Sequence, residues 1–417
     1  MAAIAAPPSA APRKKLVRRA GRDFSQVVRR SVQLAFLALN VWIAAEFWLF
    51  VRYYETGGRT VWAQRPPGVE GWLPIASLMN FKVLLYTGEV PALHPAGMFL
   101  LAGFLAASWI FRKSFCGWLC PVGTISEYLW RLGRQTFGRN FRLPRKLDVG
   151  LRSLKYILLG LFVYAVGSMT VPAIRAFLGG PYGVVADVKM LNFFRYLGLG
   201  GGVVLALLVV GSVFVQNLWC RYLCPYGALM GLASMASPLG IRRDPKLCID
   251  CGKCAKACPS ALPVDRLVTI KSAECIGCLE CVTDCPAAGA LIMAAPGRRR
   301  VPAWAIAAGV AAIFFAAVGY GQPTSSPIRK RPLPPAPYVT LVACWPPRPP
   351  RNWRKRCAMP LRRNSRSRSR ATLPSGGWRG RSSPPTSPSP RSRCAESGNT
   401  SRATSPSAWA PGFPGAK

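Results

Sequence analysis

Eight of the fifteen cysteines fall between Cys248 and Cys285, in two copies of one spacing. Cys248, Cys251, Cys254 and Cys258 read C-x2-C-x2-C-x3-C ahead of Pro259, and Cys275, Cys278, Cys281 and Cys285 repeat the run ahead of Pro286. Three closely spaced thiolates can wrap one iron-sulfur cube from a single tight loop, while the fourth cysteine reaches across to a neighbouring cube. The spacing therefore predicts Cys248, Cys251, Cys254 and Cys285 around one [4Fe-4S] cluster, and Cys275, Cys278, Cys281 and Cys258 around a second. Zinc is usually held by two separated pairs of ligands, so a duplicated four-cysteine run suits it poorly, and thiols spaced for metal do not read as a secreted disulfide framework.

Composition indicates what this module is attached to. Of 417 residues 51% are hydrophobic, yet the formal net charge is +40. The two facts are compatible if the apolar residues are gathered in membrane spans and the basic ones in the flanks. The single histidine, His94, rules out a haem with two histidine ligands inside one chain, and no C-x-x-C-H attachment site is present.

Residues 1–30 carry Arg13, Lys14, Lys15, Arg18, Arg19, Arg22, Arg29 and Arg30 and read as a basic cytoplasmic flank. Residues 31–51 are long enough to cross about 30 Å of hydrocarbon at about 1.5 Å per residue, as an uncleaved first span. Glu46, its notable polar residue, either serves proton or quinone chemistry or reaches back to the interface; the second reading is preferred because the span end is near. Residues 52–91 read as a periplasmic loop in which 72–85 lies along the surface. A second span is expected over 92–111, then a strongly basic loop (Arg131, Arg134, Arg139, Arg142, Arg145, Lys146, Arg152 and Lys155 against Glu127 and Asp148) that belongs on the cytoplasmic side. Spans over 154–174 and 198–219 follow, and a fifth over 301–321. The fold expected is mainly α: a polytopic helical membrane protein of about five transmembrane helices, with a four-helix region over 31–235 and a small cytoplasmic α+β ferredoxin module over 240–296.

At the inner ends of the second and fourth spans the sequence repeats itself. FCGWLCPVGT (115–124) and WCRYLCPYGA (219–228) share Cys116/Cys220, Leu119/Leu223, Cys120/Cys224, Pro121/Pro225 and Gly123/Gly227. On an α-helix, positions i and i+4 lie on one face, so each pair presents two thiols together and the proline stops the helix beyond them. Both spans run outward to inward, which makes a parallel repeat whose two pairs can converge as four ligands. Buried cysteine also packs as a small hydrophobe, and a dithiol can be regulatory, so a third metal or cluster site is one of three readings. Lys113 and Arg221 nearby favour thiolates in any of them.

The two C-x3-C-P pairs, the spans between them and the duplicated run at 248–285 together resemble the polyferredoxin membrane proteins typified by NapH and NosR, over roughly residues 30–320. The resemblance implies a multi-pass protein of the bacterial inner membrane with cytoplasmic clusters, passing electrons toward a periplasmic or membrane-bound acceptor. NosR-like members carry a flavin-binding periplasmic domain ahead of the spans. Before residue 31 there is no room for one and the loops hold no flavin-attachment threonine motif, so no covalent flavin is expected and a separate flavoprotein partner is an option.

Residues 322–417 are rich in Pro, Ser and Arg with Glu396 as their only acid, carry runs such as RSRSR (366–370), and cannot build a core. They read as a disordered tail whose composition points to a shifted reading frame. Cys344, Cys357 and Cys394 there have no ligand spacing, and no nucleic-acid partner is expected. No nucleophile motif, phosphate loop or dinucleotide fingerprint appears. The expected role is thus an electron-transfer subunit rather than a stand-alone enzyme: an iron-sulfur relay between a quinone or cytoplasmic donor and a membrane or periplasmic reductase system. The alternatives are a factor that reduces or delivers copper to a respiratory metalloenzyme, and a redox-responsive regulator.

Overall fold

The computed structural model describes residues 21, 23–138, 140–141 and 143–321. The basic residues between Arg13 and Arg22, Arg139, Arg142 and the 322–417 segment with Cys344, Cys357 and Cys394 lie outside the described residues.

The chain is mainly helical. Helix α1 (Ser25–Glu55) is followed by a 3-10 turn at Pro67–Trp72, then α2 (Pro74–Thr87), α3 (Pro95–Ile110), α4 (Pro121–Phe137) and α5 (Arg145–Ser168). Three shorter helices, α6 (Val171–Gly179), α7 (Pro181–Val184) and α8 (Ala186–Arg195), lead into α9 (Leu199–Phe214) and α10 (Pro225–Met235). The cysteine-rich segment then supplies β1 (Gly240–Arg243), α11 (Lys253–Ala257), β2 (Thr269–Ile270), α12 (Glu280–Thr283) and β3 (Leu291–Ala294), and α13 (Ala303–Gly321) closes the described chain.

Among the described residues three helical segments are long and apolar enough to cross a membrane, Ser25–Glu55, Lys146–Ser168 and Ala303–Gly321, and they mark the chain as a membrane protein. Of the five spans expected, those over 92–111 and 198–219 are not among these three. Helix α3 has 16 residues, bounded before its start by the left-handed His94 (φ 53°) and past its end by Arg112 and Lys113 at positive φ (58° and 49°). Helix α9 also has 16 residues, and it reaches spanning length only together with α8, which it meets at 79°. The segment expected along the surface holds α2, which buries Met79, Asn80 and Val83, packs against α3 and leaves Ile75, Leu85 and Tyr86 exposed.

In the cysteine-rich segment β1 is the central strand of a three-stranded antiparallel sheet, with Ile241 opposite both Ile270 and Met293. These three side chains belong to one apolar core with Leu100, Phe104, Trp118, Ile306 and Val310, so the core runs without a break from α3 and α13 into the small sheet. At the other end of α3, His94 takes φ 53° and sits in a buried cluster with Arg65, Glu70 and Asp187. Arg65 donates from Nη1 to Glu70 (2.8 Å) and from Nε to Asp187 (2.8 Å), and His94 Nε2 lies 2.9 Å from the Gly183 carbonyl. Burial would raise the Glu70 carboxyl, but Arg65 and His94 hold it down at about 2.

Candidate metal centre

Both C-x3-C-P motifs adopt one local structure, and it is not the α-helical one expected. Phe115–Leu119 and Trp219–Leu223 are five-residue π-helical turns, closed by bonds from Cys120 N–H to the Phe115 carbonyl (2.8 Å) and from Cys224 N–H to that of Trp219 (3.0 Å). The second cysteine of each pair is extended (φ −62°, ψ 117° and φ −75°, ψ 105°), as a residue before proline should be. The prolines do not merely stop a helix: Pro121 and Pro225 open α4 and α10 at the position where a missing N–H costs nothing. Lys113 and Asn217, each three residues before the first cysteine, share the left-handed conformation (φ 49° and 53°). Gly123 is required by close approach, since a Cβ there would stand 2.7 Å from the Cys116 carbonyl oxygen. Helix α4 packs on α9 and α10 on α3, so the helix after each motif lies against the helix before the other.

This exchange brings the four thiols together. Cys220 lies within charge-interaction range of Cys120, Cys224 and Cys116, and Cys116 within that of Cys224. Burial pushes the Cys116 thiol up to about 11 and that of Cys120 to about 12, and it raises Cys220 and Cys224 as well. Lys113 pulls Cys116, Cys220 and Cys224 back toward the thiolate, and Lys155 does so for Cys116 and Cys224. Arg221 lines the same cavity as the four thiols. It pairs with Asp148 (2.8 Å), and its charge acts on Cys258.

The eight cysteines of the sheet segment lie in two adjoining neighbourhoods. Cys254 interacts with Cys285 and Cys248, and Cys285 with Cys251 and Cys248. Cys258, Cys275, Cys278 and Cys281 instead line one small cavity. Cys281 also feels Cys254, so the two sets adjoin. Among the described residues no three His, Cys, Asp or Glu side chains converge tightly enough for a single metal ion. A cube carries each ligand on a different iron, which asks for thiolates farther apart than those bound at about 2.3 Å to one ion. Four-thiol donor sets are the chemistry such a cube takes, and beside the C-x3-C-P quartet Lys113 and Lys155 supply buried positive charge against a polythiolate centre.

The loop of the second set is clasped by the membrane helices. Gln26 Nε2 donates to the Cys278 carbonyl (2.8 Å), Trp118 Nε1 to Gly277 (3.1 Å), Arg112 Nη2 to Ile270 (2.6 Å) and Lys113 Nζ to Ala273 (3.2 Å). Gly117 passes so close that a Cβ would stand 2.3 Å from the Ile276 oxygen. Arg29, fully buried, holds Glu127 with both terminal nitrogens (2.7 and 2.6 Å) and reaches Glu280 on α12 at 3.2 Å. Burial would raise the Glu127 carboxyl, but Arg29 keeps it at about 2. Lys155 grips Glu274 through both oxygens at 2.7 Å.

A cavity of about 630 Å³ opens on the quartet. All four C-x3-C-P cysteines line it, as do Pro259, Ser260, Glu274 and Ile276, the neighbours of Cys258 and Cys275. From there it follows α3 back to Ala96, bounded by apolar residues of α1 and α13, and it reaches Glu46 and Trp72 at the far end.

A 4Fe-4S binding domain matches residues 93–140 and again 197–243, once over each C-x3-C-P motif, and a 4Fe-4S dicluster domain matches residues 240–286. YccM of Escherichia coli (strain K12), which its name proposes without asserting to be an electron transport protein, is 46% identical over 324 residues, 75% of this chain and 91% of that protein. The regulatory protein NosR of Pseudomonas aeruginosa is 33% identical over 195 residues, 45% of this chain and 26% of NosR. The ferredoxin-type protein NapH of Escherichia coli (strain K12) is 26% identical over 150 residues, 36% of this chain and 48% of NapH. The chain belongs to the NapH/NosR-type polyferredoxin membrane proteins. No solved structure matches it.

For this polyferredoxin, sequence reasoning missed the side chains that join the two cysteine regions. Arg29 and Lys155 read as membrane-flanking charge, yet both are fully buried and bound to glutamates of the cluster segment. The available signal was the pairing of acids: Glu274 and Glu280 each sit beside a cysteine in a segment that needs partners for them.

Proposed function

We propose that this polyferredoxin relays electrons through iron-sulfur centres between the cytoplasmic surface and an apolar redox carrier inside the membrane. In this reading Cys248, Cys251, Cys254 and Cys285 hold a first [4Fe-4S] cluster, Cys275, Cys278, Cys281 and Cys258 a second, and Cys116, Cys120, Cys220 and Cys224 a third metal centre. The observation that carries it is the shared cavity, whose wall includes the quartet and the residues next to the second set. Bound clusters supply one-electron chemistry, and the chain supplies burial, cations and hydrogen bonds around them.

The same cavity suits a quinone. Its wall is overwhelmingly apolar, and it follows α3, whose 16 residues rise about 24 Å. A diffusible carrier in that space would bridge the depth of membrane that no cysteine covers. Five spans, counting α3 and the α8–α9 pair, would put the module on the cytoplasmic face of the bacterial inner membrane, with a periplasmic or membrane reductase or a flavoprotein as partner.

Anaerobic EPR with iron and acid-labile sulfide determination on the detergent-purified protein tests the reading, comparing wild type with Cys116→Ser and Cys220→Ser. About twelve irons in wild type, falling to about eight in both variants, is expected for a third cube. About eight irons in all three samples with unchanged spectra would remove the third centre and leave a two-cluster protein.

A further inference from the structure

The cysteine-rich segment has two unlike sides. The hydrogen bonds from the helical region to it go to the second set's side: residues 270–280 receive Gln26, Arg29, Arg112, Lys113, Trp118 and Lys155, and Ser260 receives Arg152, while Ile241 and Met293 pack into the core shared with α3 and α13. The first set faces elsewhere, and its Cys251 is the one exposed cysteine among the described residues. Charge divides the same way. Glu274 and Glu280 turn inward onto Lys155 and Arg29, whereas Lys246, Lys253 and Lys256 around Cys251 are exposed. The acids nearby are Asp250, held by Arg243 at 3.3 Å, the half-buried Asp244 and Asp265, of which Asp244 accepts the Lys246 N–H at 2.9 Å and Asp265 acts on Cys254, and the exposed Asp284. Between the lysines stand Leu247 and Ile249, each 41% exposed.

We infer that residues 246–256 form the docking surface for an acidic, soluble one-electron carrier protein. An apolar centre of two residues within a cationic rim is the make-up of a small, transient, charge-steered interface, in which attraction brings the partner and a few apolar contacts seat it. The inference rests on the relay reading and names the partner at its outer end. One electron leaves the partner, which is oxidised, and one enters the first cluster, which is reduced; no proton or bond moves.

The test uses the full-length, cluster-loaded protein in nanodiscs of neutral lipid, with an acidic flavodoxin as probe. Surface plasmon resonance reads binding, and anaerobic stopped-flow reads cluster reduction by the reduced flavodoxin. Affinity and rate should both fall about tenfold or more as salt is raised, and about as much in Lys246→Glu/Lys253→Glu, while dithionite reduces the clusters of both proteins equally. Unchanged binding and rate in the variant would overturn the docking surface and leave the relay standing. A charge dependence found only in nanodiscs of anionic lipid would overturn it too, assigning the lysines to the bilayer surface. Clusters that dithionite cannot reduce would count against the relay itself, and the binding arm would still judge the surface.

Discussion

Arg29 shows how much one side chain can hold in this molecule. It ties α1 to α4 through Glu127 and to the second cysteine set through Glu280, with Arg131 bonded to both glutamates and Gln33 to Glu127. Removing one partner of a buried pair strands the other charge, so Arg29→Gln should destabilise the protein by about 3–5 kcal/mol. Chemical denaturation should also show Arg29→Met/Glu127→Met costing less than the sum of the two single changes; additive losses would mean that the pair is not coupled. Glu70 makes a separate prediction about pH. Its carboxyl sits at about 2 against an ordinary value of 4.5, so its stabilisation is complete above about 4.5 and is lost as pH falls toward 2. Thermal unfolding of Glu70→Gln should begin from a lower midpoint at neutral pH and fall less than wild type between about pH 5 and pH 3.

At the scale of elements, the duplicated cysteine run was visible in the sequence because spacing is itself the constraint a cube would impose, three ligands from a short loop and a fourth from a distant residue. The repeat of C-x3-C-P was equally visible. Its geometry was not, because a π-turn and an α-turn place the same residue types at the same spacing, and what separates them here is a left-handed Lys113 or Asn217 upstream. The bounds of the helices were not visible for a related reason. Helices α3 and α9 end at Ile110 and Phe214, just ahead of Arg112 and Gln216, and each starts behind a break, His94–Pro95 and Gly198, that a hydropathy average does not register. The contact of α4 with α9 gives a direct check. A Cβ at Gly133 would stand 1.9 Å from the Val213 oxygen, so Gly133→Ala should separate the two helices at a cost of about 1–3 kcal/mol. Gly160→Ala on α5, where a Cβ meets nothing within 4 Å, should be neutral or stabilising in the same unfolding assay.

For the whole molecule, the feature that decides between a carrier-linked relay and a surface protein is the cavity along α3. Val318 on α13 lines it away from every cysteine region. Val318→Phe should therefore slow cluster reduction by a short-chain quinol about tenfold or more, with iron content and dithionite-reduced spectra unchanged. An undiminished quinol rate would place the carrier elsewhere. The clasp on the second cysteine set has a consequence for biogenesis. Gln26, Arg29, Arg112, Lys113, Trp118, Arg152 and Lys155 all precede Cys248 in the chain, and each bonds to a residue between 260 and 280. Translation runs from the N-terminus, so the receiving platform leaves the ribosome before the loops it grips. The cluster segment thus emerges after the polar side of its cradle, and α13, which completes the shared apolar core, follows it.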